Sequence, residues 1–298
     1  MTTTKAFTSE RTQAVFEAAC AFAGLDAAGA KRVRFGENAI FRLADSSAVV
    51  RVGRSIPAAT KEVLVAGWLA ENGFPAATSL AGSERPFVED GLPVTFWNCL
   101  EEDDTPVTPA EFGTLLHDLH ALPHPTDFRL PAFSPMPKVE PRLQALKGKL
   151  PEADLDFLRE RYEELSEKFQ GLEFPLPAGP VHGDAHPGNV MRAPDGTLNL
   201  IDFEDFAFGP REWDAAVLSV RHQAFGWASE AEYDSYTEAY GFDPISWPGF
   251  PVLRATRELN MTMWLSQTVD ESAEVKAEVQ KRIANLRDDQ APRHWKVF

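Results

Sequence analysis

The chain has 298 residues, 44% hydrophobic and 25% charged, which is the composition of a globular protein and excludes a wholly disordered one. Its 45 acidic residues outnumber the 29 basic ones and give a net charge of −16, which argues against a nucleic-acid partner because phosphate backbones attract cationic surfaces. Two cysteines cannot build a disulfide framework, no apolar run reaches the roughly 18 residues of a membrane span, and the N-terminus lacks a secretory-signal pattern. We therefore expect a cytoplasmic protein with no membrane partner.

Apolar spacing and turn residues predict a mixture of strands and helices in residues 1–100. Apolar residues three and four positions apart predict helices over residues 10–23 and 60–72. Short β-branched or alternating runs predict two hairpins, whose strands cover residues 38–43, 48–52, 86–89 and 93–97. These elements are enough for one small α+β lobe.

From residue 101 onward the pattern is mostly helical. Residues 108–111 read Thr-Pro-Ala-Glu, a capping box with proline at the first helical position, and predict the start of a helix. The apolar spacing of residues 152–170 predicts an amphipathic helix, whereas the prolines of residues 123–141 predict a loop. Residues 101–298 are therefore expected to form a larger, mainly helical lobe.

The two expected lobes differ in charge. Residues 1–100 hold ten basic and ten acidic residues, so the whole net charge of −16 falls on residues 101–298. An anionic large lobe suits a cationic ligand, and solubility is the simpler explanation of the same excess.

The stretch most typical of enzyme chemistry lies between His182 and Asn189. Asp184 and Asn189 are five positions apart, the offset between the catalytic Asp and the metal-binding Asn of protein-kinase loops. Asp202 follows the β-like run 197–201, as the second metal-binding Asp of kinases does. Phosphoryl transfer needs such a set because Mg²⁺ prefers carboxylate and amide oxygens, and because a further carboxylate must orient the attacking hydroxyl. The spacing predicts Asp184 as the catalytic base and Asn189 and Asp202 as Mg²⁺ ligands.

The residues His182 to Asn189 (HGDAHPGN), together with Ile201 to Glu204 (IDFE), closely resemble the aminoglycoside phosphotransferase family, relatives of choline kinases and protein kinases. Weaker similarities lie elsewhere along the chain, at the hairpin 36–43, the strand 49–52, the helix 115–122 and the segment 209–214. The landmarks occur in the family's order from about residue 36 to residue 214.

The resemblance implies an α+β fold of the protein-kinase type, with a small β-rich N-lobe over residues 1–100 and a large, mostly helical C-lobe over residues 101–298. The N-lobe would bind the nucleotide, and the C-lobe would hold the catalytic loop, the metal site and the acceptor site. The implied reaction is transfer of the γ-phosphoryl group of Mg-ATP, or of GTP, to a hydroxyl of an aminoglycoside-like or other amine-bearing small molecule.

The resemblance also implies roles for individual residues of the N-lobe. Arg51 would neutralise the α- and β-phosphates, and Glu62 on the following helix would hold it by an ion pair. Arginine stands here where the best-known family members have lysine. The other implied nucleotide contacts, at the hairpin and at the hinge that would present backbone groups to adenine, are Gly36, Asn38, Trp97 and Cys99.

In the large lobe, His182 and His186 are expected to support the catalytic loop, His182 by hydrogen bonding. Carboxylates are the natural partners of an amine-bearing acceptor. The candidates that the sequence offers for such contacts are Glu204, Asp205, Glu258, Asp270 and Glu271.

Other interpretations stay open at this point. The acceptor could be a sugar, a homoserine-like or choline-like metabolite, or an uncharged antibiotic. Arg51 and the isolated Gly36 also suit a pseudokinase, which binds nucleotide without turnover. Alternate spacing of His182, Asp184 and His186 suits a metal-dependent hydrolase, although Asp202 and the Pro187-Gly188 pair fit a kinase loop better.

Overall fold

The structure is a computed structural model that describes residues 6–298. The chain forms two compact units that interleave along the sequence. Unit one comprises Met1–Val107, Leu122–Pro131 and Pro187–Phe206, and unit two comprises Thr108–Ala121, Ala132–His186 and Ala207–Phe298.

Within the described residues, unit one holds a five-stranded antiparallel sheet in the order β1-β2-β3-β5-β4. Its strands are β1 (Lys31–Phe35), β2 (Ala39–Arg42), β3 (Ala48–Val52), β4 (Phe87–Glu89) and β5 (Leu92–Asn98). Helix α1 (Ser9–Ala23) packs on this sheet, and its Val15 and Phe16 share a core with Phe41 and Val50. Burial of these apolar side chains is the main stabilisation of the unit.

Helix α2 (Ile56–Glu71) follows β3 and also packs against β5. It begins four residues before the predicted start at residue 60, because Ser55 accepts a hydrogen bond from Ala58 N as an N-cap and Pro57 occupies the first turn. Strand β1 was not among the predicted strands. Val33 and Phe35 alternate with arginines, but the run is short, three of its five residues are basic, and all five are exposed, so no buried face marks it as a strand.

A separate two-stranded hairpin, formed by β7 (Val190–Arg192) and β8 (Leu198–Leu200), also belongs to unit one. Leu200 pairs with Ala76, and Ala77 N donates to Leu200 O at 2.8 Å. These bonds attach the end of β8 to the segment after α2, and so fix the position of the residues that follow Leu200.

Unit two is mainly helical. Its elements are α3 (Pro109–Ala121), α4 (Val139–Ala145), α5 (Glu152–Gln170), β6 (Gly179–Val181), β9 (Ala207–Gly209), α6 (Glu212–Gln223), α7 (Glu230–Tyr240), α8 (Phe250–Ser266) and α9 (Ala273–Leu286). The predicted capping box of α3 is confirmed, since Thr108 N and Glu111 N each bond the other residue's side chain. The predicted bounds of α5 are confirmed as well. The proline-rich stretch is loop up to α4, which begins at Val139 inside the predicted loop.

The core of unit two is a large apolar cluster with many aromatic members. It joins α4, α5, α6, α8 and α9, and includes Leu158, Trp213, Phe250, Met263 and Ile283. With a small antiparallel sheet in one unit and helices in the other, the α+β fold class is confirmed.

Candidate active site

Arg51 of unit one lies at the centre of a group of carboxylates. On β3 the residues alternate in burial, so Val50 and Val52 enter the core while Arg51 projects from the other face. Its Nη1 donates to Glu62 on α2, and its Nη2 donates to Glu204 Oε2 at 2.9 Å. The Arg51 side chain is only 13% exposed, so these ion pairs are shielded from water.

Burial of Glu62 shifts its acidity. Desolvation raises the pKa of this carboxyl to about 7, and the nearby charges of Asp202 and Glu204 add to the rise, while the Arg51 guanidinium opposes it. The carboxyl is 5% exposed, and Arg51 is its ion-pair partner. The expected Arg51–Glu62 pair is therefore present, with an acid that titrates near neutral pH.

Asp202 occupies a strained turn directly after β8 and Ile201. Its φ is +64°, a left-handed conformation that few residues other than glycine adopt. Phe203, the next residue, is buried beside the ring of Trp97, with the centroids 6.1 Å apart. The buried ring of Phe203 and the hydrogen bond from Ala77 to Leu200 at the end of β8 hold the turn in place, and so fix the Asp202 carboxylate.

The residues predicted to hold Mg²⁺ offer a suitable donor set. Asp202 Oδ1 is buried and, within the described part of the chain, has no hydrogen-bond partner; Arg51 Nη1 lies 3.6 Å away. Asn189 is buried at the end of the short helical turn Pro187–Asn189, and its carbonyl accepts from Ile201 N at 2.9 Å. An amide and a carboxylate oxygen are the hard ligands that Mg²⁺ prefers, so these residues fit the ion.

Glu204 is tied to the first hairpin as well as to Arg51. Asn38, in the turn between β1 and β2, donates from its amide to Glu204 Oε2 at 3.2 Å. Lys61 on α2 donates from Nζ to the carbonyls of Glu204 and, at 2.9 Å, Phe206. Asp205 lies half-buried between these two residues. Glu204 therefore lies within the Arg51 cluster, and its contacts in unit one are with cationic and amide groups.

The other nucleotide candidates have different surroundings. Gly36 is exposed at the start of the β1–β2 turn, and its carbonyl accepts from Arg54 Nη2 at 2.8 Å. Trp97 is buried, with Nε1 donating to Thr95 Oγ1 at 2.9 Å. Cys99 is a half-buried free thiol just after β5. Trp97 is therefore buried on the face of the sheet that carries Arg51, whereas Gly36 and Cys99 stay accessible.

In unit two, the predicted catalytic loop is held by a buried carboxylate. Asp214 on α6 accepts from His182 N at 2.6 Å and from Gly183 N at 3.1 Å. His182 is fully buried, and its Nδ1 accepts from Asp184 N at 3.3 Å. These contacts tie His182 to Asp214 and to Asp184, and its role in supporting the loop stays a prediction.

Asp184 itself projects from this rigid loop. Its side chain is 58% exposed, and its Oδ2 lies 3.6 Å from His186 Nε2. Desolvation by the surrounding protein would raise its pKa, but the neighbouring His186 imidazole and the charge of Arg257 outweigh it and lower the pKa to about 2. Asp184 is therefore an ionised carboxylate at neutral pH, able to accept a hydrogen bond from a hydroxyl.

The support behind the loop includes groups that the sequence did not reveal. His120 on α3 lies with Nε2 3.2 Å from Asp214 Oδ2 and Nδ1 2.8 Å from Tyr240 Oη. Burial would raise the pKa of Asp214, but hydrogen bonds from His120 and the His182 backbone lower it on balance. Trp213 Nε1 donates to Gly183 O at 2.7 Å. The Trp-Asp pair at 213–214 was the available sequence signal for this support.

Arg257 on α8 is a further residue that the sequence did not reveal. Its Nη2 donates to the carbonyl of Trp213, and its guanidinium lies over the Trp213 ring at 4.2 Å. Desolvation lowers the pKa of this guanidinium, and the charges of Asp214 and Asp184 only partly oppose the lowering. Arg257 thus holds Trp213, which in turn binds Gly183, the residue before Asp184.

The acceptor candidates of α8 and the following loop lie in unlike surroundings. Glu258 is 2% exposed and is bound by Arg254 Nε at 3.0 Å and Arg293 Nε at 3.1 Å. These buried pairs give it a structural role. Asp270 is exposed and pairs with Lys149 at 2.9 Å, and Glu271 is exposed beside it.

No group of three or more His, Cys, Asp or Glu among the described residues could hold a metal ion, so His182, Asp184 and His186 do not form the metal cluster of a hydrolase. Over residues 6–298, every helix is too short or too polar to span a membrane.

Comparison with known proteins gives a consistent picture. The model of a phosphotransferase enzyme family, which includes aminoglycoside phosphotransferases, matches residues 31–256. No curated protein matches the sequence at a significant level. The chain is similar in structure to an amicoumacin kinase solved with AMP-PNP, Ca²⁺ and Ami, with TM-score 0.70, 16% identity and coverage of 97% of this chain and 98% of that one.

Two further solved structures are similar. A microcompartment-associated aminopropanol kinase has TM-score 0.66 and 18% identity, covering 91% of this chain and 95% of that one. A choline/ethanolamine kinase family protein from Mesorhizobium loti has TM-score 0.62 and 19% identity, covering 96% of each. These similarities confirm the expected kinase-like fold.

Proposed function

Because the chain belongs to the phosphotransferase enzyme family, we propose that it is a small-molecule kinase that transfers the γ-phosphoryl group of ATP or GTP to a hydroxyl of an amine-bearing acceptor. The observation that carries this proposal is the shielded ion pair between Arg51 and Glu62, with Asp202 3.6 Å from the same guanidinium. Protein kinases use a strand cation, a helix carboxylate and a metal-binding Asp in this combination on nucleotide phosphates.

Each group then has a task in the transfer. Arg51 binds phosphate oxygens of the nucleotide and neutralises their charge. Asn189 and Asp202 would hold Mg²⁺, which when bound would shield the polyphosphate charge. Asp184 orients the acceptor hydroxyl and takes its proton as the oxygen–phosphorus bond forms and the bond from the γ-phosphorus to the departing nucleoside diphosphate breaks.

The low pKa of Asp184 fits a loose transition state. A carboxylate with a pKa of about 2 is a weak base, so it orients the hydroxyl more than it withdraws the proton early. In a largely dissociative transfer, little negative charge develops on the nucleophile before the phosphoryl group has moved, so a strong base is not required.

An amine-bearing acceptor is supported by charge and by similarity. Unit two holds 26 acidic and 17 basic residues, a net charge of −9, and leaves −7 for unit one. The acidity is therefore shared between the units, and both favour a cationic ligand at long range. The names of the similar aminopropanol and choline/ethanolamine kinases also refer to small amino alcohols.

The test is nucleotide-dependent ADP or GDP release with a panel of acceptors. The panel contains aminoglycosides, other antibiotics, amino sugars, homoserine, choline and small amino alcohols, each assayed with Mg-ATP and Mg-GTP. Asp184→Ala is assayed beside the unaltered protein. Turnover with one acceptor class that disappears in Asp184→Ala supports the proposal and identifies the acceptor. If the protein binds neither nucleotide, the proposal is wrong.

A further inference from the structure

The guanidinium of Arg51 is already engaged at both of its terminal nitrogens. Nη1 donates to Glu62 and Nη2 donates to Glu204 Oε2 at 2.9 Å. An arginine binds phosphate through the same outward N–H groups that it uses for carboxylates. In this arrangement, Glu204 occupies one N–H group of Arg51 Nη2 that could otherwise bind a phosphate oxygen.

The two carboxylates bound to Arg51 differ in how readily they can leave it. The side chain of Glu62 is 5% exposed, and leaving Arg51 would strand a buried acid. The side chain of Glu204 is 28% exposed, so its carboxylate can be hydrated after it moves. Of the two, Glu204 is the one that an incoming anion can displace.

Glu204 also connects Arg51 to the β1–β2 turn. Its Oε2 accepts from the Asn38 amide at 3.2 Å as well as from Arg51, and Lys61 holds its backbone carbonyl. The same carboxylate oxygen thus joins the strand cation to the turn that resembles a nucleotide loop. Displacing the carboxylate would release both donors at once.

We propose that Glu204 sets the nucleotide affinity of this protein. Its carboxylate bridges Arg51 and Asn38, an arrangement called the latch below, and the nucleotide phosphates bind by displacing this carboxylate from Arg51. The inference rests on the proposed nucleotide-binding function of Arg51. It assigns to Glu204 a task within unit one that is different from contact with the acceptor amine.

The latch has a measurable cost in affinity. Each binding event must first shift the protein to the open state, so the apparent dissociation constant rises by the inverse of the open fraction. A latch that is open about a tenth of the time weakens nucleotide binding about tenfold. Neutralising Glu204 removes a charge-assisted bond to Arg51 and favours the open state.

The experiment measures AMP-PNP binding by isothermal titration calorimetry, once with MgCl₂ and once with EDTA. Glu204→Gln keeps the size of the side chain and removes its charge, and Glu71→Gln, an exposed glutamate on α2, is the matched control. We expect Glu204→Gln to bind AMP-PNP about tenfold more tightly in EDTA and to remain tighter in MgCl₂, with Glu71→Gln unchanged. Glu204→Ala removes the carboxylate altogether and is expected to tighten AMP-PNP binding in EDTA in the same direction.

The outcomes separate this inference from the proposed function. Loss of AMP-PNP binding by the unaltered protein would contradict the proposed function itself. Binding by the unaltered protein with the same or weaker affinity in Glu204→Gln under EDTA would overturn the latch alone. Weaker binding only in MgCl₂ would identify Glu204 as a metal ligand instead, and would also overturn it. Should Glu204→Gln fail to fold by circular dichroism, Glu204→Ala in EDTA decides the question by the same criterion.

Discussion

The cluster around Arg51 in unit one and the loop around Asp184 in unit two are built on different principles. In the first, charged side chains bind one another, and Arg51 is shared by Glu62 and Glu204. In the second, one buried carboxylate, Asp214, binds the backbone amides of His182 and Gly183. Side-chain ion pairs can exchange one anion for another, whereas backbone amides bonded to a buried acid keep a fixed geometry.

This difference suits the two halves of the proposed reaction. Nucleotide binding needs cations whose partners can change when the phosphates arrive. Orientation of an acceptor hydroxyl needs a carboxylate whose position stays fixed, because misplacement by about 1 Å costs roughly a hundredfold in rate. The exposed Asp184 on its rigid loop meets the second need.

The largest expected effect comes from the carboxylate at the end of that rigid loop. We expect Asp184→Asn to lower kcat about a thousandfold, since loss of a general base costs between about 10² and 10⁴ in rate, while AMP-PNP binds as before. The measurement is steady-state turnover with the acceptor identified by the panel, paired with calorimetry. Asp234→Asn, an exposed residue of α7, is the control and should retain full activity. A kcat for Asp184→Asn within tenfold of the unaltered protein would remove Asp184 from the chemical step.

The next effect tests the rigidity of the loop itself. In Asp214→Asn, an amide NH₂ would face one of the two backbone N–H groups that now donate hydrogen bonds to Asp214. An unsatisfied buried donor costs about 1–3 kcal/mol, and the displaced loop should lower kcat about a hundredfold with little change in nucleotide affinity. Thermal unfolding and steady-state kinetics measure the two effects. A stability loss with unchanged kcat would show that the loop keeps its geometry without this brace.

The sequence predicted the elements whose pattern is local. Helix α5 has its observed bounds because its apolar residues recur three and four apart, and α3 begins at its capping box. Strand β1 was missed because it is a short edge strand with three basic residues and no buried face, and these charged side chains oppose pairing with another chain. Local rules thus predict most of the fold and fail where packing does not act.

The candidate site residues divide in the same way, into those that the sequence spacing predicts and those whose contacts arise only on folding. The spacing of Asp184, Asn189 and Asp202 is readable along the chain, and the contacts around Asp202 place it beside Arg51. The link from Asn38 to Glu204 spans 166 positions and exists only after folding. Arg257 has no distinguishing signal, since a helix arginine normally faces water and its burial depends on how α8 packs.

A smaller effect tests the ion-paired cluster around Arg51 in unit one. The Glu62 pKa is about 7 in the folded protein against an ordinary 4.5, so the folded state binds more protons between these values and its stability falls as pH rises through this window. Glu62→Gln should remove this fall, which is worth at most about 3 kcal/mol. It should also weaken AMP-PNP binding about tenfold by freeing Arg51 to move. Urea unfolding from pH 4.5 to 8 and calorimetry measure the two changes, with Glu71→Gln as control; parallel pH profiles for both variants would contradict the role of burial at Glu62.

The smallest effect concerns the support of the loop from α8. Arg257→Lys keeps the positive charge but loses the planar group that lies over Trp213 and binds its carbonyl, so the Trp213–Gly183 hydrogen bond should become less well held. We expect kcat to fall about fivefold with an unchanged nucleotide KM, because a small shift of the loop affects only the step that Asp184 performs. Arg254→Lys, one turn earlier on α8, should keep the full kcat. Removing the charge as well, in Arg257→Met, should lower kcat further, since Asp184 and Asp214 would lose a nearby cation. Equal kcat values for Arg257→Lys and Arg254→Lys would mean that Asp214 alone holds the loop, and that the rigid support of this loop does not extend to α8.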